Sequence, residues 1–121
     1  MQPGRVSSAA LLASGLAGVA IPDRFAAALG LAATSPRGRA ETRAGLGGTF
    51  VALGAFGVLS SSPAARVAVG VTWLGAAAVR MIALRLDEPS TDWTYWAYLA
   101  LEVGLGAAAV GGARTHGSAR S

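Results

Sequence analysis

The stretch "AGLGGTFVALGAFGVL", residues 44–59, decides the fold class of this chain. It contains no charged residue and no polar face that recurs at the helical period, although a helix on the surface of a soluble protein needs such a face. In water its glycines would also weaken a helix, whereas in lipid small residues let helix backbones pack closely. The stretch therefore predicts a membrane-spanning helix rather than a helix of a soluble bundle.

The composition of the whole chain agrees with this prediction. Only 13% of its 121 residues are charged, which is low for a soluble surface, and the length is that of one domain. Every basic residue is Arg, and these residues are scattered between apolar segments instead of forming one basic face, so we expect no nucleic-acid partner. The absence of Cys excludes disulfides, thiolate metal sites and a Cys nucleophile. We expect no cofactor and no metal.

Four weakly charged segments approach the length of about 20 residues that a membrane-spanning helix needs. They cover residues 6–22, 40–60, 65–86 and 93–113. Two joins, "SSSPAAR" and "DEPSTDW", contain helix breakers and caps and have the length of hairpin turns. The sequence thus predicts an all-α protein, a four-helix transmembrane bundle of up-and-down topology, with residues 1–121 in a single integral membrane domain.

The connector after the first segment is longer than the other two. Pro22 can open a helix there and Asp23 would lie in its first turn, so residues 23–33 are a candidate interfacial helix. An alternative for the N-terminus is a cleavable signal peptide, which would leave three spans. The bilayer is the expected environment, and the expected location is a cell inner membrane or plasma membrane, crossed several times.

The distribution of Arg between the connectors predicts that both termini face the cytoplasm. In that orientation the cytoplasmic arginines are Arg5, Arg66, Arg114 and Arg120, and those outside are Arg24, Arg37 and Arg39.

An arginine interrupts the third apolar segment, in "AAAVRMIALRLDEPS", residues 76–90. An unpaired guanidinium inside a membrane helix costs about 3 kcal/mol, so Arg80 needs an anionic partner. With a rise of about 1.5 Å per residue, up-and-down topology puts Arg80 and Glu102 at comparable depths. We therefore predict that Arg80 pairs with Glu102 or with Glu41. The candidate binding residues are Glu41, Arg43, Arg80, Asp87, Tyr98 and Glu102.

Stripes of small residues on the same helical faces as these charges predict which faces pack inward. The predicted stripes are Glu41, Gly45, Gly48, Ala52 and Ala55 on the second helix, Trp73, Ala77, Arg80, Leu84 and Asp87 on the third, and Glu102, Gly106 and Ala109 on the fourth. Gly47, Gly48 and Gly54 are also predicted as helix-packing positions. The run "WTYWAY", residues 93–98, is predicted to be an aromatic belt at the membrane surface.

Three features together resemble a known family. They are "ETRAGLGG" at the start of the second helix, an Arg seven residues before an Asp in the third, and a Glu in the fourth. The chain resembles, over nearly its whole length, the small bacterial four-helix membrane proteins of domain-of-unknown-function family 4345. The resemblance implies that the matching positions are Glu41, Arg43, Gly47, Gly48, Arg80 and Asp87. Glu88 departs from the family pattern, which has Gly there. The family has no assigned activity, so the resemblance implies a fold and not a function.

Three classes of function are compatible with the charged residues. The first is a non-enzymatic bundle that uses the candidate binding residues to bind a lipid-like ligand, a partner membrane protein or a second copy of itself. The second is a small proton-coupled transporter, although a Glu paired with Arg80 would stay ionised. The third is an intramembrane enzyme on a lipidic substrate, although no metal triad or Ser/His pair supports it. Bound lipid, pH-driven uptake and lipid turnover would distinguish these classes. A purely structural ion-pair clamp remains the alternative to all three.

Overall fold

The computed structural model describes residues 2–118, with side chains as far as Arg114, and in this part of the chain it contains helices and no strand. The all-α class is therefore confirmed. Within these residues five helices follow one another: α1 Pro3–Ala20, α2 Pro22–Ala28, α3 Pro36–Leu59, α4 Pro63–Leu86 and α5 Trp93–Ser118.

Three helices of the described chain are long and apolar enough to cross a membrane. They are α3, α4 and the part of α5 up to Arg114, with mean hydropathies of 1.3, 1.8 and 1.3. Helix α1 is not among them, because its 18 residues include Arg5 and several serines. The three candidate spans thus support a multi-pass membrane protein, and a fourth span in α1 stays a prediction.

The outer surfaces of these three helices are apolar. Large hydrophobic side chains that are more than half exposed include Phe56, Val71, Val79, Met81, Ile82 and Leu101. The buried positions are mostly small, and they include Ala65, Ala77, Ala109 and Ala113. Small residues inside and large apolar residues outside are expected where lipid, rather than water, surrounds the helices.

The helices begin at the breakers and caps that the sequence provides. Pro22, Pro36 and Pro63 open α2, α3 and α4, where their missing N–H groups cost nothing. The N–H of Tyr95 donates to the Asp92 carboxylate over 3.2 Å at the start of α5. The Thr94 hydroxyl also donates to this carboxylate, and these two hydrogen bonds lower the pKa of Asp92.

Helix α4 ends at Leu86, and Asp87 is its C-cap residue. The N–H of Asp87 donates to the carbonyl of Ala83 over 2.9 Å and closes the last turn. Glu88 then adopts a left-handed conformation with φ of 44°. Gly adopts this conformation without steric cost and is the usual residue just after a helix end. Glu88 therefore follows the helix end in a conformation that favours Gly over a residue with a side chain.

By its contacts the chain divides into two compact units. One unit is Ser8–Ser60, and the other is formed by the residues before Ser8 together with those from Ser61 onward. In the first unit α1 and α3 approach closely through glycines. A Cβ on Gly15 would lie 2.5 Å from the backbone nitrogen of Val51 and 2.8 Å from the carbonyl oxygen of Gly47. The backbones are therefore in direct contact, with no room for side chains.

Helix α3 is not regular, because Thr42–Gly48 forms a π-helical segment between two α-helical parts. The N–H of Thr49 accordingly bonds the carbonyl of Ala44, five residues earlier. The widened turn displaces the packing face, since the count of 3.6 residues per turn no longer holds. Gly47, Gly54 and Gly57 are buried.

The predicted stripe on this helix was therefore wrong at several positions. Gly45, Gly48 and Ala52 are exposed, and a Cβ on Gly45 would meet nothing within 4 Å. Burial at Gly47 and Gly54 confirms two of the three predicted glycine packing positions, while the exposure of Gly48 contradicts the third.

In the second unit α4 packs along α5, and the first residues of α1 join them. The Ser7 hydroxyl donates to the carbonyl of Leu105 over 2.6 Å, and the Trp73 indole donates to the carbonyl of Ser7 over 3.3 Å. Gly70 and Gly106 allow close approach, because a Cβ on either would lie about 3 Å from the other's carbonyl oxygen. These contacts hold α4 and α5 in a register that places Arg80 beside Glu102.

Candidate functional site

The centre of the candidate site is an ion pair between α4 and α5. Arg80 Nε donates to Glu102 Oε2 over 2.9 Å, and Arg80 Nη2 donates to Glu102 Oε1 over 2.7 Å. This bidentate arrangement is the strongest geometry that a guanidinium and a carboxylate can form. The Arg80 side chain is 24% exposed and that of Glu102 is 9% exposed. The predicted Arg80–Glu102 pair is confirmed.

Two tyrosines from α5 flank the guanidinium. Arg80 Cζ lies 5.3 Å from the ring centroid of Tyr95 and 5.7 Å from that of Tyr98, which is within cation–π range. The Tyr95 hydroxyl also donates to the backbone carbonyl of Arg80 over 2.7 Å. Tyr95, Tyr98 and Glu102 are spaced three and four residues apart, so one face of α5 carries all three.

Small and apolar residues continue the two helix faces beyond the ion pair. Trp73 and Ala77 precede Arg80 on α4 and are 9% and 3% exposed, and Gly106 and Ala109 follow Glu102 on α5 and are buried. Burial of Trp73 and Ala77 confirms the predicted inward face of α4 at these two positions. Burial of Gly106 and Ala109 confirms the predicted inward face of α5. The ion pair therefore lies at one end of a closely packed, uncharged contact.

The remaining predicted site residues have other surroundings. Glu41 forms an ion pair with Arg37 at 3.5 Å, with both side chains largely exposed, so this pair contributes little to stability. Asp87 is exposed at the end of α4 and forms no ion pair with any residue that the structure describes. Arg43 donates from Nη1 to the backbone carbonyl of Val19 in the unit Ser8–Ser60. The structure thus brings together Arg80, Tyr98 and Glu102 of the six.

Arg43 also lines an open pocket of about 390 Å³ at the end of α1 and the start of α3. Asp23, Arg24 and Arg39 are among the other lining residues. The pocket belongs entirely to the unit Ser8–Ser60.

Sequence reasoning missed Tyr95 and the arginines Arg24 and Arg39. The signal for Tyr95 was present, because its spacing to Tyr98 and Glu102 is helical, but it was assigned to the aromatic belt with its neighbours. No local pattern joins Arg24 to Arg39, since their proximity depends on how residues 29–35 connect α2 to α3.

Within residues 2–114 the side chains offer no group of three or more His, Cys, Asp or Glu that could hold a metal ion. Both oxygens of Glu102 accept hydrogen bonds from Arg80. The arrangement is thus a largely buried ion pair whose guanidinium is partly exposed and lies near two aromatic rings.

No protein family model, curated protein sequence or solved structure matches this chain.

Proposed function

We propose that this protein is a non-enzymatic membrane bundle that binds a lipid-like molecule at the Arg80 site, defined by Arg80, Tyr95, Tyr98 and Glu102. The proposal rests on the Arg80 guanidinium, whose hydrogen-bond donors are only partly satisfied by Glu102. Nε and Nη2 bind Glu102, whereas Nη1 makes no hydrogen bond to the residues that the structure describes, and the side chain is 24% exposed. A hydrogen-bond donor left open in an apolar helix needs an acceptor.

The chemistry of the site selects the class of ligand. Glu102 balances the charge of Arg80, so the site attracts a polar group that accepts a hydrogen bond rather than one that needs a net positive charge. The tyrosine rings and the surrounding apolar residues favour a molecule with a hydrocarbon part. A lipid-like molecule with a carbonyl, hydroxyl or phosphate-ester oxygen combines both properties.

The same geometry disfavours proton exchange and acid–base catalysis at this site. Both carboxylate oxygens of Glu102 are occupied by Arg80, and Glu41, the other carboxylate considered for this chemistry, forms its ion pair with Arg37 in the unit Ser8–Ser60. A general base needs a free oxygen within hydrogen-bond reach of its substrate.

Removing the ion pair should weaken ligand binding. We expect native mass spectrometry of the purified protein to show bound lipid, and the double variant Arg80→Ala with Glu102→Ala to bind it about tenfold more weakly, since one hydrogen bond to a charged donor is worth about 1.5 kcal/mol. The double variant is chosen because it leaves no unpaired charge.

The matched control is Arg85→Ala, which removes an exposed arginine from the same helix. It should retain the lipid. Equal lipid occupancy in the double variant and in Arg85→Ala would refute the proposed site, provided that both variants remain monodisperse and helical.

We further propose four spans in up-and-down order, with α1 as the first, as the resemblance to family 4345 implies. Topology reporters fused after Ser62 and Gly117 should then localise to one side of the membrane, and reporters fused after Gly30 and Thr91 to the other. An epitope at Gln2 should localise with Ser62. An epitope on the same side as the Gly30 reporter would show that α1 does not span.

A further inference from the structure

A second polar site lies in the unit Ser8–Ser60, at the pocket of about 390 Å³ between the end of α1 and the first turns of α3. We call it the arginine pocket, and its charged residues are Asp23, Arg24, Arg39 and Arg43. The proposed lipid-binding function uses none of them.

The charges around this pocket are not balanced. Three guanidinium groups line it and only one carboxylate, that of Asp23. Arg24 and Arg39 form no ion pair with any residue in the described part of the chain, where the ion pairs are Arg37–Glu41 and Arg80–Glu102. Like charges around one pocket repel each other, and a bound anion would remove this cost.

One of the three guanidinium groups is already held in place. Arg43 donates from Nη1 to the carbonyl of Val19, which lies in the last turn of α1. The final carbonyls of a helix lack partners within the helix, so this hydrogen bond satisfies one of them. It also orients the guanidinium before any ligand binds, which lowers the cost of binding.

The position of the pocket along α3 indicates the type of anion. Arg39 lies in the first turn of a helix that can span the membrane, and Arg43 lies one turn further on. Basic residues at the ends of spanning helices lie at the level of the lipid headgroups. Guanidinium groups bind phosphate through two parallel hydrogen bonds, which a lysine cannot provide.

We propose that the arginine pocket binds a phosphate group, and that Arg24, Arg39 and Arg43 surround it. Two sources share this chemistry: the headgroup of an anionic phospholipid and free phosphate in solution. In either case Asp23 limits the site to a single phosphate group, because it already balances one of the three positive charges.

The test uses the full chain, freed of lipid in detergent, with phosphatidylglycerol and inorganic phosphate as separate probes in native mass spectrometry. Arg24→Gln and Arg39→Gln should each weaken phosphatidylglycerol binding about fivefold, the contribution typical of one arginine near an anionic lipid surface. Arg37→Gln is the matched control. Arg37→Gln removes one positive charge from α3, as Arg39→Gln does, but Arg37 pairs with Glu41 and does not line the pocket.

The possible results distinguish the two sources of phosphate and also test the proposal itself. Weaker phosphatidylglycerol binding in both variants, with no binding of inorganic phosphate to the wild type, identifies a lipid headgroup as the ligand. Binding of inorganic phosphate that is lost in the same variants identifies free phosphate. Unchanged binding of both probes, or an equal loss in Arg37→Gln, would overturn the proposal. The Arg80→Ala, Glu102→Ala double variant should keep this binding, so the two proposed sites can fail independently.

Discussion

Replacing Arg80 by Ala should lower the free energy of unfolding by about 3 kcal/mol, whereas replacing both Arg80 and Glu102 by Ala should cost less. The reason is the position of Glu102, whose side chain is 9% exposed and accepts both of its hydrogen bonds from Arg80. Without the guanidinium its carboxylate stays buried without a cation, which costs free energy. The double change removes both charges together, so that no buried charge is left without a partner.

A double-mutant cycle measured by unfolding in detergent would give the interaction energy of the pair. Arg85→Ala serves as the control, because Arg85 is exposed on the same helix, and its replacement should change stability by no more than about 0.5 kcal/mol. Arg80→Lys should fall between the wild type and Arg80→Ala, since it keeps the charge and loses the bidentate geometry. Strictly additive losses in the cycle would show that the pair does not stabilise the contact between α4 and α5.

Simple geometry narrowed the partner of Arg80 to Glu102 or Glu41, and the structure shows Glu102, since Glu41 pairs with Arg37. A charge in an apolar helix demands a partner, and the rise per residue restricts that partner to a residue of similar depth on an adjacent helix. Glu102 meets this condition. The inward face of α5, with Gly106 and Ala109 after Glu102, follows from the same helical spacing.

Regular helical spacing did not predict the π segment Thr42–Gly48. A π turn is a rare single-turn feature inside an α-helix, and the helical spacing of residues in this sequence does not mark it. Its extra residue shifts the phase of α3, so Gly45 and Gly48 face outward while Gly47 packs against Val19. An error in phase of one residue is enough to exchange a packed glycine for an exposed one.

The arginine pocket was missed for a different reason. Its arginines come from α2 and from two turns of α3, and only the path of the connector brings them together. The prediction grouped Arg43 with Arg80 among the candidate binding residues of one site. In the structure each of these arginines has a backbone or carboxylate partner within its own unit.

Replacing Gly54 by Ala should destabilise the contact between α1 and α3 by about 2 kcal/mol, as expected for overpacking. A Cβ at this position would overlap the backbone nitrogen of Leu12 and would lie 2.7 Å from its Cα. Because these are backbone atoms, no rotation of a side chain relieves the conflict, and the two helices have to separate. Thermal unfolding in detergent would measure the loss. Gly45→Ala is the matched control, since the added methyl group meets nothing within 4 Å.

The atoms that an added Cβ would meet also predict whether a second substitution can restore the stability lost in a glycine variant. A Cβ on Gly106 would lie 2.6 Å from Leu74 Cγ, so the main conflict there involves a side chain. Shortening that side chain in the double variant Gly106→Ala with Leu74→Ala should recover part of the stability lost in Gly106→Ala. Leu12→Ala should recover none of the loss in Gly54→Ala, because the Leu12 backbone remains in place. Rescue of Gly54→Ala by Leu12→Ala would mean that the side chains, and not the backbones, set the distance between α1 and α3.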